Sequence, residues 1–263
     1  MNNKNNYKHV LITGATSGIG YELSKLFAKA GFNLVLVARN QMQLAEVAAE
    51  LSSTYLVETT IIAKDLSTSS SSVEIYQELQ QRDIHIDILV NNAGFSEYGE
   101  FSKSSLDREL QMMQVNMVSL THLTKLLLPG MLQNKYGKIL NLASIASFGP
   151  GPLNAVYCAS KAYVLSFSEA IAEELKNTNV TVTALCPGPT DTRFAKRANI
   201  ENVKLFQGKI MQPQKVAEIG FHALMNGKRS VIAGCLNKLL VYSSPFMPRT
   251  LIASMAKNMM SIK

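Results

Sequence analysis

The sequence predicts an α/β fold, a doubly wound parallel sheet of about seven strands with helices on both faces. Short apolar runs alternate with longer helical patterns over most of the 263 residues. These runs are apolar throughout, as is typical of strands that are buried on both faces of a parallel sheet. The polar motifs fall where the runs end, and ligands bind to such sheets at the carboxyl ends of the strands.

The strands are predicted from short aliphatic runs, and the helices between them from longer amphipathic patterns. Gly31 favours the end of the first helix, and the serine-rich stretch 67–72 provides a loop and an N-cap for the third. We predict strands at residues 9–13, 33–38, 56–63, 87–90, 138–142, 180–185 and 230–233. We predict helices at residues 18–30, 41–51, 73–81, 106–133 and 155–176.

The composition excludes several classes of protein. With 47% hydrophobic and 17% charged residues, the chain has enough apolar material for a buried core. Cys158, Cys186 and Cys235 form no C-x-x-C pair, which argues against a disulfide framework or a metal site and fits a reducing cytoplasm. The uncharged run 139–160 is broken by Gly-Pro-Gly-Pro at residues 149–152, which a spanning helix would not tolerate easily. We therefore expect a cytoplasmic protein without a metal.

A glycine-rich turn, Thr-Gly-Ala-Thr-Ser-Gly-Ile-Gly at residues 13–20, joins the first strand to the first helix. Gly14 permits a tight turn, Gly18 lets the backbone approach a pyrophosphate, and Gly20 lets the helix pack closely on the sheet. The helix N-terminus favours the negative charge of the phosphates. The turn therefore indicates a Rossmann-type dinucleotide site. Its predicted cofactor-binding residues are Gly14, Thr16, Ser17, Gly18, Ile19 and Gly20.

The end of the second strand predicts which dinucleotide binds. A carboxylate there would hold the ribose 2′-hydroxyl of NAD, but no Asp or Glu occurs between Glu22 and Glu46. Arg39 is instead placed to bind a 2′-phosphate, although it could also be an exposed residue that opens a helix. We expect NADP(H) as the cofactor, with Asp65 and Leu66 bordering its adenine.

Tyr157 and Lys161 are the candidate reacting residues, because they are four residues apart and share one face of a predicted helix. A free tyrosine has a pKa of about 10 and is a poor acid or base at neutral pH. A lysine ammonium beside it, with an oxidised nicotinamide, would lower that pKa. Ser144 would hydrogen-bond a substrate oxygen and orient it towards Tyr157. This combination indicates hydride transfer at a carbonyl or an alcohol.

These motifs resemble those of the short-chain dehydrogenase/reductase family in its compact single-domain form, over roughly residues 8–233. Within the family the chain is most similar to the DltE-like group, which is related to the 3-ketoacyl and 17β-hydroxysteroid reductases. The matching pieces occur in family order. They are residues 13–20, 91–94 (Asn-Asn-Ala-Gly), Asn116, Ser144, 157–161 (Tyr-Cys-Ala-Ser-Lys) and 187–192 (Pro-Gly-Pro-Thr-Asp-Thr).

The resemblance implies roles for further residues. Lys161 would also bind the nicotinamide ribose, and Asn116 would hold a water molecule that relays protons to Lys161. Thr190 and Thr192 would reach the carboxamide of the nicotinamide. The remaining cofactor-binding residues that it implies are Asn92, Ala93, Gly94, Tyr157, Pro187 and Gly188.

The substrate is expected to be a mainly apolar small molecule. Loops after residues 94 and 147 and the segment after Thr192 should form its cleft, although their apolar side chains could equally be the packing of a flexible lid. The predicted substrate-binding residues, besides Ser144, are Phe95, Phe148, Leu153, Phe194 and Phe206.

The net charge of +7 is concentrated near the C-terminus, since residues 219–263 contain six basic residues and no acidic one. The excess is small and has no DNA-binding motif beside it, so we expect no nucleic-acid partner. We divide the chain into an NADP(H)-binding catalytic domain, residues 1–235, and a basic amphipathic extension, residues 236–263. The extension could lie on an anionic membrane, or it could pack on a partner subunit of a homodimer or homotetramer, which we favour.

Two other functions are compatible with parts of the pattern. An epimerase or dehydratase can share the Tyr-x-x-x-Lys pair, but such enzymes usually have a differently spaced glycine turn and a longer C-terminal domain. A non-catalytic NADP(H)-binding sensor or scaffold would not need Ser144, Tyr157, Lys161 and Asn116 together. We therefore expect an oxidoreductase.

Overall fold

The computed structural model describes residues 8–208 and 210–262 and contains a seven-stranded parallel sheet. The strand order is β3-β2-β1-β4-β5-β6-β7, which confirms the predicted doubly wound sheet. The strands are β1 (His9–Thr13), β2 (Asn33–Ala38), β3 (Thr59–Ala63), β4 (Ile86–Asn91), β5 (Gly137–Leu142), β6 (Val180–Cys186) and β7 (Ser230–Ile232).

Ten α-helices occur in the described residues. The first five are α1 (Gly18–Lys29), α2 (Gln41–Tyr55), α3 (Ser71–Gln81), α4 (Leu106–Met113) and α5 (Leu120–Gln133). The others are α6 (Ala155–Glu174), α7 (Arg193–Arg197), α8 (Pro213–Met225), α9 (Cys235–Ser243) and α10 (Arg249–Met259).

Both faces of the sheet are buried, as the apolar strands predicted. In β1, Val10 and Ile12 belong to one hydrophobic cluster and Leu11 belongs to another, because successive side chains point to opposite faces. The strand order reverses between β1 and β4, so the crevice at the carboxyl ends of these two strands is the expected ligand site.

Three predicted elements differ from the structure by three residues or more. The second helix continues to Tyr55 rather than ending at residue 51. The third strand begins at Thr59 rather than at residue 56, because Leu56 ends α2 in the left-handed conformation (φ 57°) with its side chain exposed. The helix predicted over 106–133 is divided, since Gln114–Ser119 forms a π-helical turn between α4 and α5. Such turns are frequent at functional sites, and this one contains Asn116.

The C-terminal extension forms α9 and α10, which the sequence predicted only as an amphipathic segment. Its end is anchored to the main domain: the Tyr98 hydroxyl donates to the Met260 carbonyl at 2.7 Å, and the Lys204 amide donates to the Ser261 carbonyl at 3.1 Å. The division at residue 235 stays a prediction. In the described part of the chain, no helix combines the length and the apolar character that a bilayer crossing requires.

Candidate active site

The loops after β1 and β4 are tied together by hydrogen bonds. The Thr13 hydroxyl oxygen accepts from the backbone amides of Asn92 and Ala93, both at 3.0 Å. In return the Asn92 side-chain amide donates to the carbonyls of Thr13 at 2.8 Å and Gly14 at 3.2 Å. These bonds fix the glycine-rich turn against the Asn-Asn-Ala-Gly segment, so both border the same crevice.

The glycines of the turn are required by backbone geometry. Gly14 and Gly18 have φ values of 68° and 58°, which other residues rarely adopt. A Cβ atom at Gly20 would lie 2.3 Å from the Gly14 carbonyl oxygen, so the close packing expected of Gly20 is present. Gly20 itself does not line the crevice. Its predicted role in binding is therefore indirect, through the packing of α1.

The crevice opens into one cavity of about 770 Å³ that brings most of the predicted residues together. The predicted catalytic residues that line it are Ser144, Tyr157 and Lys161. The predicted cofactor residues that line it are Gly14, Thr16, Ser17, Gly18, Ile19, Arg39, Asp65, Leu66, Asn92, Ala93, Gly94, Pro187, Gly188, Thr190 and Thr192. Four predicted substrate residues also line it: Phe95, Phe148, Phe194 and Phe206.

Leu153 was predicted to line the cleft, and that prediction is wrong. Leu153 has a φ of 66°, and its carbonyl accepts a hydrogen bond from the Gly99 amide at 2.9 Å. Its side chain packs against the hydrophobic cluster that includes Ala195 and Ile200, and it does not line the cavity.

Tyr157 and Lys161 lie near the start of α6, close to the carboxyl end of β5. The Lys161 side chain is buried, and its Nζ atom donates to the Leu142 carbonyl at 2.6 Å. The same Nζ atom lies 5.7 Å from the centroid of the Tyr157 ring. The helical spacing thus places the ammonium beside the phenol, as the sequence predicted.

Burial dominates the protonation of both residues. It raises the pKa of Tyr157 above the ordinary value of 10.0, while a hydrogen bond with Ser144 acts in the opposite direction. Burial lowers the pKa of Lys161 from 10.5 to about 8, against a smaller opposing effect of Cys186. In the chain itself the Tyr157 pKa is therefore raised, which differs from the lowering expected beside Lys161 and a nicotinamide.

Ser144 is positioned by the end of β5. It caps the short 3₁₀ helix Ile145–Phe148 by accepting a hydrogen bond from the Ala146 amide at 3.1 Å, and its side chain is buried. The hydroxyl donates to the Pro187 carbonyl at 3.5 Å. It is also close enough to Tyr157 to lower the pKa of that residue, so two polar groups converge on the same part of the cavity. Such a pair can hold one oxygen atom of a substrate between them.

Asn116 lies behind the cavity wall rather than on it. Its side-chain amide donates to the Phe95 carbonyl at 3.0 Å and to the Ser160 hydroxyl at 3.1 Å. Its Oδ1 atom accepts from the Phe95 amide at 3.1 Å. The π-helical turn thus carries a buried side chain that fixes the loop after β4 to α6.

A small space lies between Asn116 and Lys161. A Cβ atom at Gly94 would occupy it, 3.0 Å from Asn116 Oδ1 and 3.5 Å from Lys161 Nζ. Since Gly94 has no side chain, no Cβ atom crowds the space between these two polar atoms.

Arg39 lines the cavity at the end of β2 and forms an exposed ion pair with Asp65, with 3.8 Å between Nη1 and Oδ2. Arg193 and Arg197 of α7 also line the cavity, and the sequence-based interpretation missed them. Burial and then the like charges of Arg39 and Arg193 lower the pKa of Arg197. A basic region thus borders the part of the cavity near Arg39.

The C-terminal extension also contributes to the cavity, which the sequence did not predict. Leu240 and Val241 of α9 line it, together with one side of α10. In the sequence, only the amphipathic pattern of the extension indicated that it packs on something. That pattern does not identify the surface that its apolar side contacts. The residues of α10 and its end that line the cavity are Ile252, Ala256, Met259 and Met260.

The glycine-rich turn, the switch in strand order and the Ser-Tyr-Lys cluster define a dinucleotide-binding oxidoreductase site. A family model described as "short chain dehydrogenase" matches residues 8–202. The chain belongs to the short-chain dehydrogenase family, which uses a nicotinamide cofactor.

Several known proteins are similar to this chain. An uncharacterized oxidoreductase of Staphylococcus epidermidis is 32% identical over 217 residues, which cover 82% of this chain and 90% of that protein. The very-long-chain 3-oxoacyl-CoA reductase of Bos taurus is 37% identical over 192 residues, 71% of this chain and 60% of the bovine one. A short-chain dehydrogenase from Sphingobium yanoikuyae, solved with NADPH, is 28% identical, with a TM-score of 0.82 and coverage of 97% and 96%.

Proposed function

We propose that the chain is an NADP(H)-dependent carbonyl reductase that acts on a mainly apolar small molecule, or oxidises the matching alcohol. One observation carries the proposal: Ser144, Tyr157 and Lys161 lie on the wall of the same cavity as the glycine-rich turn. A dinucleotide held at that turn would extend towards the three residues. Family membership supports the reaction class, and the residues support the roles that follow.

Ser144 and Tyr157 would hold the substrate oxygen in the reduction. A bound nicotinamide in its reduced form supplies the hydride that adds to the carbonyl carbon. Tyr157 donates its hydroxyl proton to the carbonyl oxygen, so the C=O double bond becomes a C–OH group. Ser144 donates a hydrogen bond to the same oxygen and stabilises the negative charge that develops there.

Lys161 would supply positive charge beside the tyrosinate that remains after proton transfer. An ammonium close to a phenolate stabilises the charged form, which eases loss of the proton. Its bond to the Leu142 carbonyl fixes the side chain and leaves further N–H groups available for the ribose hydroxyls of the cofactor.

Asn116 and Gly94 would provide the proton relay. A water molecule in the gap beside Gly94 could accept a hydrogen bond from Lys161 Nζ and donate one to Asn116 Oδ1. This arrangement would connect Lys161 to a proton source without exposing it to the solvent.

The preference for NADP(H) rests on Arg39. Its guanidinium is the positive group at the end of β2, where a carboxylate would favour NAD. The ion pair with Asp65 is exposed and long, so a phosphate could replace the carboxylate at low cost. Arg193 and Arg197 add positive charge to the same cavity.

The substrate is proposed to be apolar because four phenylalanines and the C-terminal extension line the cavity near the reacting residues. Tyr157 itself packs against Phe194, with 5.6 Å between the ring centroids. Acyl, steroid-like and aromatic ketones all suit such a lining, and the relative from Bos taurus bears the name of an acyl reductase.

A homodimer or homotetramer is also proposed, and α4 offers a surface for it. Leu106, Leu110 and Met113 are spaced by four and three residues, so they form one exposed apolar stripe, which Val118 extends. Stripes of this kind are commonly covered by a partner subunit. A cytoplasmic location is part of the same proposal.

A panel of carbonyl compounds assayed by oxidation of NADPH and of NADH tests the proposal. The panel should include a long-chain 3-oxoacyl thioester, a steroid ketone and an aromatic ketone. We expect turnover of at least one apolar carbonyl with NADPH as the better cofactor. No turnover of any member in either direction would contradict the proposed reaction, and equal use of NADH would contradict the cofactor preference.

A further inference from the structure

The two C-terminal helices and the connection between them carry an exposed apolar surface. On α9, Leu236, Leu239 and Tyr242 follow one another at intervals of three residues and are 77%, 69% and 66% exposed. Phe246, in the connection to α10, is 90% exposed. We call this surface the C-terminal apolar face; it consists of Leu236, Leu239, Tyr242, Phe246, Leu251 and Met255.

This face is distinct from the side of the helices that packs on the protein. On α10, Ile252, Ala256 and Met259 line the cavity, whereas Leu251 and Met255, four residues apart, are exposed. On α9, Val241 is buried while its neighbours Leu240 and Tyr242 are partly or largely exposed. None of the residues of the C-terminal apolar face lines the cavity, so the substrate site does not explain their apolar character.

The charged residues of α9 and α10 have a single sign. Lys238, Arg249 and Lys257 lie on the same two helices, are exposed, and make no ion pair within the described residues. The last acidic residue of the sequence is Glu218, well before α9. An apolar face among unpaired basic residues is complementary to a surface that is both apolar and anionic.

A second copy of the chain fits this face poorly. In a twofold interface the same surface meets itself, so the basic residues of two copies would be brought together without acidic partners. The apolar stripe on α4, by contrast, lies on a helix with charges of both signs, since Asp107 is acidic and Arg108 is basic and paired with Glu97. Two copies of that helix would not bring only like charges together. The C-terminal apolar face is therefore the less suitable of the two for self-association.

We propose that the C-terminal apolar face docks on an anionic lipid bilayer as a peripheral contact, with Leu239 and Phe246 inserted among the lipids and Lys238, Arg249 and Lys257 at the headgroups. This reverses the preference for a partner subunit that the sequence alone suggested. Because α9 and α10 also line the cavity, docking places that wall of the cavity next to the bilayer.

Vesicle co-sedimentation of the full chain tests the proposal. One set of vesicles contains phosphatidylcholine alone, and the other contains phosphatidylcholine with phosphatidylglycerol. We expect the protein to sediment with the anionic vesicles, and to be released at about 1 M salt, where the Debye length falls to about 3 Å. The double variant Leu239→Ser with Phe246→Ser should reduce the partition coefficient by about tenfold or more, since two large apolar groups are lost.

A matched control variant tests whether the loss of any exposed apolar side chain reduces vesicle binding. Met42→Ser removes a side chain of α2 that is 74% exposed, and it should bind the vesicles like the wild type. Circular dichroism and thermal unfolding should be the same for all three proteins, because the substituted side chains are exposed. Absence of binding to the anionic vesicles, or equal binding by the double variant, would overturn the proposal. So would equal binding to phosphatidylcholine alone, or a wild-type dimer that the double variant dissociates without any vesicle binding.

Discussion

The Nζ atom of Lys161 lies 5.7 Å from the centre of the Tyr157 ring while it donates a 2.6 Å hydrogen bond to the Leu142 carbonyl. The lysine is therefore held by the last residue of β5 and carries its charge in a buried site beside the tyrosine. Burial lowers the pKa of Lys161 to about 8 and raises that of Tyr157. Both shifts disfavour the charged forms, so the chain alone does not stabilise the ion pair that catalysis would use.

The buried lysine makes the stability of the protein depend on pH. Between about pH 8 and the unfolded value of 10.5, the unfolded chain still holds a proton on this lysine that the folded chain has released, so the contribution of Lys161 to the free energy of unfolding rises with pH. Lys161→Met removes this rise. The difference in the free energy of unfolding between variant and wild type should change by roughly 2.5 kcal/mol from pH 7 to pH 10, in favour of the wild type.

Urea unfolding at the two pH values measures this difference. Lys125→Met, which removes an exposed lysine of α5, serves as the control and should show no such change. If the difference in the free energy of unfolding between Lys161→Met and the wild type were the same at both pH values, the lowered pKa of the buried Lys161 would be contradicted.

Arg39 should decide between the two nicotinamide cofactors. Arg39→Ala should weaken NADPH binding by about 10- to 100-fold, because a charge-assisted hydrogen bond contributes about 1.5–3 kcal/mol, and should leave NADH binding nearly unchanged. Cofactor fluorescence titration gives both dissociation constants. Arg82→Ala, which removes another half-exposed arginine, should alter neither. An equal loss for both cofactors would show that Arg39 does not contact the 2′-phosphate.

Adding a single methyl group at Gly94 should reduce the activity of the enzyme. In Gly94→Ala the new Cβ would press on Asn116 Oδ1 at 3.0 Å and fill the gap next to Lys161. Since Asn116 is held by Phe95 and Ser160, it cannot move away easily, and we expect kcat to fall by about tenfold if proton relay is interrupted.

Gly130→Ala is the control for that substitution, because a Cβ atom there meets no atom within 4 Å. It should keep wild-type kcat and gain slightly in helix stability. Steady-state kinetics of both variants should be compared with their thermal unfolding. An unchanged kcat in Gly94→Ala would rule out a relay through this gap.

Phe194 and Leu153 should behave differently, although the sequence placed both in the substrate cleft. Phe194→Ala removes a ring from the cavity wall beside Tyr157, so KM for an apolar carbonyl should rise several-fold. Leu153→Ala should lower the free energy of unfolding by about 1–2 kcal/mol and leave KM unchanged, since its side chain packs outside the cavity. If both variants changed KM alike, the assignment of Phe194 to the cavity wall and of Leu153 to the packing outside it would be contradicted.

The sequence predicted the fold, and it predicted that the candidate reacting residues lie together, because both depend on local patterns. The apolar strands, the glycine-rich turn and the spacing of Tyr157 and Lys161 are properties of neighbouring residues. Even the special geometry at Gly14 and Gly18 could be anticipated from residue type.

The features that the sequence did not reveal depend on tertiary packing. The π-helical turn around Asn116 interrupts a continuous helical pattern without any glycine or proline within the turn to mark it. Leu153 packs on a hydrophobic cluster and does not line the cavity. Ile252, which is distant in sequence from the other residues of the site, does line it. Burial of Tyr157 likewise follows from the assembled cavity, which is why its raised pKa was not foreseen.

The most direct test of the proposed chemistry is Tyr157→Phe, measured by NADPH-dependent turnover of whichever carbonyl the wild type reduces best and by NADPH titration. The substitution removes only the hydroxyl, so we expect turnover to fall by about 100-fold or more while the dissociation constant for NADPH stays within about twofold. Tyr242→Phe, which changes an exposed tyrosine, should behave like the wild type. Wild-type turnover by Tyr157→Phe would contradict the assignment of Tyr157 as the acid and base of this site.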